Sequence, residues 1–113
     1  MNIKENDIKT KAVLVGIVTD SADAEEAEKS IYELGQLLDT AGGEVFATVL
    51  QNKSTPDPRT LIGKGKVQEI AELCENNGVK LVIFDEELSP AQIRNLEDDI
   101  GNDVHVIDRS MLI

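Results

Sequence analysis

Residues 12–19 read AVLVGIVT, an uncharged run dominated by Val and Ile. A strand with one wet face would alternate apolar with polar residues. This one does not, so both of its faces must be covered, as they are in the interior of a parallel sheet. Residues 81–84, LVIF, have the same character. Residues 44–51, EVFATVLQ, and 104–107, VHVI, read as two further strands.

The intervals between these strands carry helical periodicity. Ala24, Ala27, Ile31, Leu34, Leu38 and Ala41 recur at spacings of three and four, with Glu25, Glu26, Glu28, Lys29 and Glu33 opposite and Gly42–Gly43 as the stop. Val67, Ile70, Ala71 and Cys74 form a second stripe that ends at Asn77 and Gly78. A third helix has a well-specified start in LSPAQI: Ser89 as N-cap, Pro90 at the first helical position, Gln92 completing a capping box and Leu88 placed to staple onto Ile93. Its stripe is Ile93, Leu96 and Ile100, and Gly101 ends it. The order βαβαβαβ, with no two-residue hairpin signal, predicts an α/β fold: an open, Rossmann-like parallel sheet of four strands, order 2-1-3-4, with right-handed crossovers. The expected divisions are an N-terminal extension (1–10), one α/β domain (11–108) and an apolar tail (109–113) that ought to lead into further packed structure.

The 113 residues suit one domain. Twenty-two acids against 11 Lys and Arg give a formal charge of -11, which repels nucleic acid and anionic membrane at long range. Any such contact must therefore be local. Cys74 is the single cysteine, which excludes an internal disulfide and a multi-cysteine zinc site. No apolar run is long enough for a membrane span, so stable membrane insertion is not expected and a cytoplasmic location is.

One segment opposes the overall charge. Residues 52–66, NKSTPDPRTLIGKGK, hold Lys53, Arg59, Lys64 and Lys66 against the single acid Asp57. Gly63 and Gly65 lie where a helix begins, a place that exposes unpaired amides beside the positive end of the helix dipole. The segment reads as a cradle for phosphate, and the bland alternative is a flexible turn with solvated lysines. It is not a hydrolytic P-loop: Thr60 stands where the first glycine belongs, and Val67 where a magnesium-binding hydroxyl does. The dinucleotide fingerprint fails at Gln68.

Asp20, Asp85 and Asp108 each follow a strand and would gather at the carboxyl edge of a parallel sheet, the arrangement of a magnesium site or a phospho-acceptor pocket. Acids at strand ends are more often turn residues or caps, and no metal site is assigned. His105 reads as a partly buried strand residue with no nucleophile placed beside it. Cys74 reads as core. Tyr32, Phe46 and Phe84 all fall in regular elements, so the basic loop has no aromatic for base stacking and would meet RNA through phosphate and sugar.

Three segments together resemble one family: DPRTLIGKGKVQEI (57–70), FDEELSPAQIRNLE (84–97) and VIDRSMLI (106–113). They are similar to the N-terminal domain of HflX-type GTPases. Leu61, Lys64 and Ser110 depart from the usual residues, and the extra lysine favours anion contact. The resemblance implies a parent with this α/β domain, a helical connector beginning near 109–113, and a GTPase domain. It also implies binding to the large ribosomal subunit and its rRNA on stalled or stressed ribosomes. GTP and magnesium would belong to the GTPase domain, leaving this chain without catalytic residues or cofactor. Lys53, Arg59, Gly63, Lys64, Gly65 and Lys66 are the RNA-contact candidates. A regulatory domain that binds a nucleotide or phosphate between the basic loop and the strand ends is the alternative.

Overall fold

The computed structural model describes residues 9–19, 24–101 and 103–112. The elements run β1 (Thr10–Val18), α1 (Ala24–Thr40), β2 (Gly43–Asn52), α2 (Lys64–Asn77), β3 (Leu81–Phe84), α3 (Pro90–Ile100), β4 (His105–Asp108) and α4 (Arg109–Leu112). Every pairing is parallel, and the order is β2-β1-β3-β4, as the apolar strands predict. β1 and β3 lie side by side at the centre. Their burial explains the missing alternation: all residues from Ala12 to Val18 are buried, and so are Val82, Ile83 and Phe84.

The sheet divides the core in two. On one face, Val13, Val15, Val82 and Phe84 pack with Val67, Ile70 and Cys74 of α2 and with Leu96 and Ile100 of α3. On the other, Ala12, Leu14 and Ile83 meet Ile31, Leu34 and Leu38 of α1. Two helices therefore cover one face, and α1 with the short α4 covers the other. That asymmetry corrects the reading of His105, whose side chain is exposed: it starts a four-residue edge strand beyond the cover of α1. The edge is protected differently, since Glu97 Oε2 accepts a hydrogen bond from the Val106 amide at 2.9 Å. At the opposite edge, β2 carries a bulge, with Ala12 opposite Val45 and Val13 opposite Ala47. Phe46 is the extra residue, and Lys11 Nζ lies 5.4 Å from its ring centroid.

The signals at the helix ends act as the sequence suggests. Ser89 and Gln92 form the reciprocal capping box of α3, with Pro90 in its first turn. Gly42 (φ 94°) and Gly78 (φ 66°) take the left-handed conformation just after α1 and α2. Gly16 has another purpose. A Cβ there would lie 2.8 Å from Leu50 Cδ2 and 3.2 Å from Ile31 Cδ1, so the missing side chain lets α1 approach the sheet. Gly16→Ala should lower stability by about 1–2 kcal/mol, because overpacking outweighs the entropy gained in the unfolded chain. Urea denaturation checks this, and an unchanged midpoint would refute it.

Candidate nucleic-acid interface

The segment between β2 and α2 is a built turn. Asp57 and Leu61 exchange backbone hydrogen bonds of 3.0 and 2.7 Å, while Asp57 Oδ1 accepts the Arg59 amide at 2.8 Å. Buried Thr60 donates its hydroxyl to the Ile62 carbonyl at 2.9 Å, and Ile62 is itself fully buried. Leu61 holds φ 70°, a conformation unfavourable for a non-glycine residue and sustained here by its neighbours. The turn is also pinned to α3: Asn95 Nδ2 donates to the Arg59 carbonyl at 3.1 Å and Gln92 Nε2 to that of Pro58 at 3.3 Å. The turn is thereby ordered by its own hydrogen bonds and by α3.

The six candidate residues divide by environment. Gly63 is the N-cap of α2, but its amide already donates to Gln51 Oε1 at 2.9 Å. The next three residues, Lys64, Gly65 and Lys66, open the helix with no side-chain cap, and a Cβ on Gly65 would meet nothing within 4 Å. Backbone and solvent are thus in open contact at this point. Lys64 is exposed. Lys66 lies 3.4 Å from Glu69 one turn on, and Arg59 is paired with Asp99 of α3 at 2.9 Å. Lys53 is half-buried, with its amide bonded to the Val18 carbonyl at 2.9 Å as an extension of the sheet. The positive character is therefore concentrated at Lys64 and the adjoining amides, while Arg59 and Lys66 must exchange an internal carboxylate for any phosphate they meet.

At the carboxyl edge, the two described acids of the expected group have different partners. Asp20 lies outside the described residues. Asp85 accepts Arg109 Nε at 2.8 Å, and the same guanidinium donates through Nη2 to the Ser30 carbonyl at 2.6 Å, tying α4 to the end of β3 and to α1. Asp108 is 2% exposed and faces a different set of donors: Leu88 N at 2.8 Å, Ser110 N at 3.0 Å and Ser110 Oγ at 2.6 Å. Burial pushes its carboxyl up. The hydrogen bonds from Ser110, Leu88 and Met111 together outweigh that and hold it below the ordinary value. Among the described residues, no group of three or more His, Cys, Asp or Glu side chains is placed to hold a metal ion. Arg109 is thus bonded to Asp85 beside a space of about 260 Å³ at the ends of β1 and β3, lined by Gly16, Ile17, Thr19, Ser30, Asp85 and Glu86, the place where open α/β sheets commonly take ligands. Its role was not readable as a site because Ser30 is 79 residues away in sequence. Cys74 is buried, and burial pushes its thiol up, against a smaller opposing effect of Lys80, so it is core as expected. No helix among the described residues is long and apolar enough to cross a membrane.

Comparison with known proteins places this geometry. Residues 28–113 match the family described as GTP-binding GTPase N-terminal. The chain is 44% identical over 112 residues to GTPase HflX of Alkalihalophilus pseudofirmus, covering 99% of this chain and 26% of that protein. It is 39% identical over 108 residues to GTPase HflX of Escherichia coli, covering 95% of this chain and 24% of the relative. The chain thus spans about a quarter of the length of the curated relatives it matches. A GTP-binding protein from the archaeon Sulfolobus solfataricus, solved with GDP, superposes with a TM-score of 0.59 at 22% identity over 93% of this chain and 29% of that one, a likeness of fold. With the family match running from residue 28 through both the basic turn and the Asp108–Arg109 pair, this chain belongs to the GTP-binding GTPase N-terminal family, as the N-terminal domain of an HflX-type GTPase.

Proposed function

We propose that this domain is a non-enzymatic ribosome-binding element of an HflX-type GTPase that acts in the cytoplasm on stalled or stressed ribosomes. It contacts rRNA of the large subunit through the start of α2. The observation that carries this reading is the uncapped helix start itself: exposed Lys64 beside the amides of Lys64, Gly65 and Lys66, on a chain of net charge -11. An acidic body is repelled by RNA everywhere except where cation and helix dipole coincide, so the same charge distribution that permits contact also orients it. Arg59 and Lys66 flank the contact, and Lys53 adds to the local potential. GTP and magnesium are bound by the GTPase domain of the parent, and a helical connector joins that domain to this one. Ribosomes engaged through this corner are the substrate on which the parent's GTP cycle acts.

A small phosphate ligand is the poorer fit. The groove beside the turn is lined by Asp57, Glu72, Glu75 and Asp99 against Arg59 and Lys64, and the space of about 260 Å³ at the ends of β1 and β3 is lined by the acids Glu26, Asp85 and Glu86 with, among the described residues, no lysine or arginine. Acids in that number oppose the binding of an anion. The test is cosedimentation of the full-length parent with purified large subunits. Lys64→Glu should weaken binding roughly tenfold, equivalent to about 1.4 kcal/mol. Wild-type affinity in that variant, with inorganic phosphate or a nucleotide binding saturably to the domain alone, would replace the ribosomal reading with the small-ligand one.

A further inference from the structure

A groove of about 870 Å³ lies between α2, the last turn of α3 and the turn at 57–60. Its floor is apolar and low: Val67 and Ile100 are buried beneath it, and Ala71 is half-buried along it. Positions 64, 68, 71 and 75 share one stripe of α2, and the interval from Lys64 to Glu75 is about 16 Å long at the rise of an α-helix. A small residue at the middle of such a stripe allows a second helix to approach closely.

Charge reverses along the stripe. Lys64 stands where α2 begins, and exposed Glu72 and Glu75 stand toward its end, with Asp99 on the facing wall already committed in part to Arg59. The negative end of the α2 dipole adds to the acidic side. This reversal decides the class of partner. A nucleic-acid strand repeats one sign of charge along its length, so after meeting Lys64 it would be repelled by the rest of the groove. A polypeptide helix can set cations against Glu72 and Glu75 while laying apolar side chains over Ala71.

We infer that this groove docks a basic amphipathic helix of a separate protein, and, resting on the ribosomal reading above, that the helix belongs to a protein of the large subunit. The chain's own α4 does not cover the groove. It packs beside α1, on the opposite face of the sheet, where Leu112 joins the α1 core. The docked helix would lie next to the RNA contact at Lys64, so that one corner of the domain reads rRNA and protein together.

The full-length parent carrying Glu72→Lys and Glu75→Lys tests this in cosedimentation with purified large subunits. Both positions are exposed, so the fold is retained, which circular dichroism and urea denaturation verify. A basic partner helix requires affinity to fall, by roughly tenfold for two reversed charges at an interface. RNA in the groove requires it to rise. An unchanged or tighter complex overturns the inference while leaving the reading at Lys64 standing if Lys64→Glu still weakens binding. Wild-type protein that fails to bind large subunits overturns both. A photo-crosslinking residue at Gln68 supplies the second arm. A product containing a subunit protein supports the inference, whereas a product with RNA alone, one internal to the parent chain, or none overturns it.

Discussion

Asp108→Ala is expected to cost the domain about 3 kcal/mol, since it removes a buried charged acceptor and leaves the buried Leu88 amide unpaired. The carboxylate holds three elements at one point. Its Oδ2 accepts the Leu88 amide at the entry to α3, and its Oδ1 accepts the amide and hydroxyl of Ser110 in the first turn of α4. Leu88 is buried, so water cannot readily replace what its amide loses. The lowered folded-state pKa fixes the sign of the pH dependence: the stabilisation is present above the ordinary carboxyl value of 3.8 and is lost as pH falls through the folded-state value. Wild-type protein should therefore lose urea resistance below about pH 4. Asp108→Asn keeps an acceptor oxygen but has no such titration, so its own profile should be flatter across that range. Parallel profiles for the two proteins would show that Asp108 is not the titrating contact.

Asp108 and Arg109 also mark the limit of what the sequence discloses. The architecture was legible because it depends on local pattern: unbroken apolar runs at 12–18 and 81–84 require cover on both faces, and the Ser89–Gln92 capping box is complete within four residues. The basic segment was legible as a local excess of charge. Its internal pairing was not, because Asp99 lies 40 residues from Arg59 and nothing near either residue announces the contact. The exposure of His105 likewise depends on which strand is an edge and how far α1 reaches, a property of the assembled sheet. The strand-end acids shared a position in the pattern yet acquired different roles, Asp85 held by Arg109 and Asp108 by α3 and α4. Composition alone gives each acid the same chemistry; the donors that surround it give it a role.

The second large effect is expected from neutralising the start of α2 and its flank together. The variant Arg59→Gln, Lys64→Gln, Lys66→Gln removes every cation of the corner except Lys53. The loss should be greater than additive surface changes usually give, because phosphate contacts made by the three would act on one strand of rRNA. Lys64 should contribute most. Arg59 must surrender Asp99 and Lys66 must surrender Glu69 before either meets phosphate, which offsets part of what each gains. Stability should change little, since both pairs are exposed enough for solvent to replace them.

The most direct measurement is the salt dependence of full-length protein binding to purified large subunits, for wild type and for this triple variant, as the slope of log affinity against log salt. Removing one cation from a phosphate should reduce the slope by about 0.7–0.9, giving a reduction of about 2.1–2.7 for the triple variant if all three cations touch RNA. A shallower slope with weaker binding at every salt concentration is the expected result. Coincident affinities and slopes for the two proteins would contradict an RNA contact at this corner.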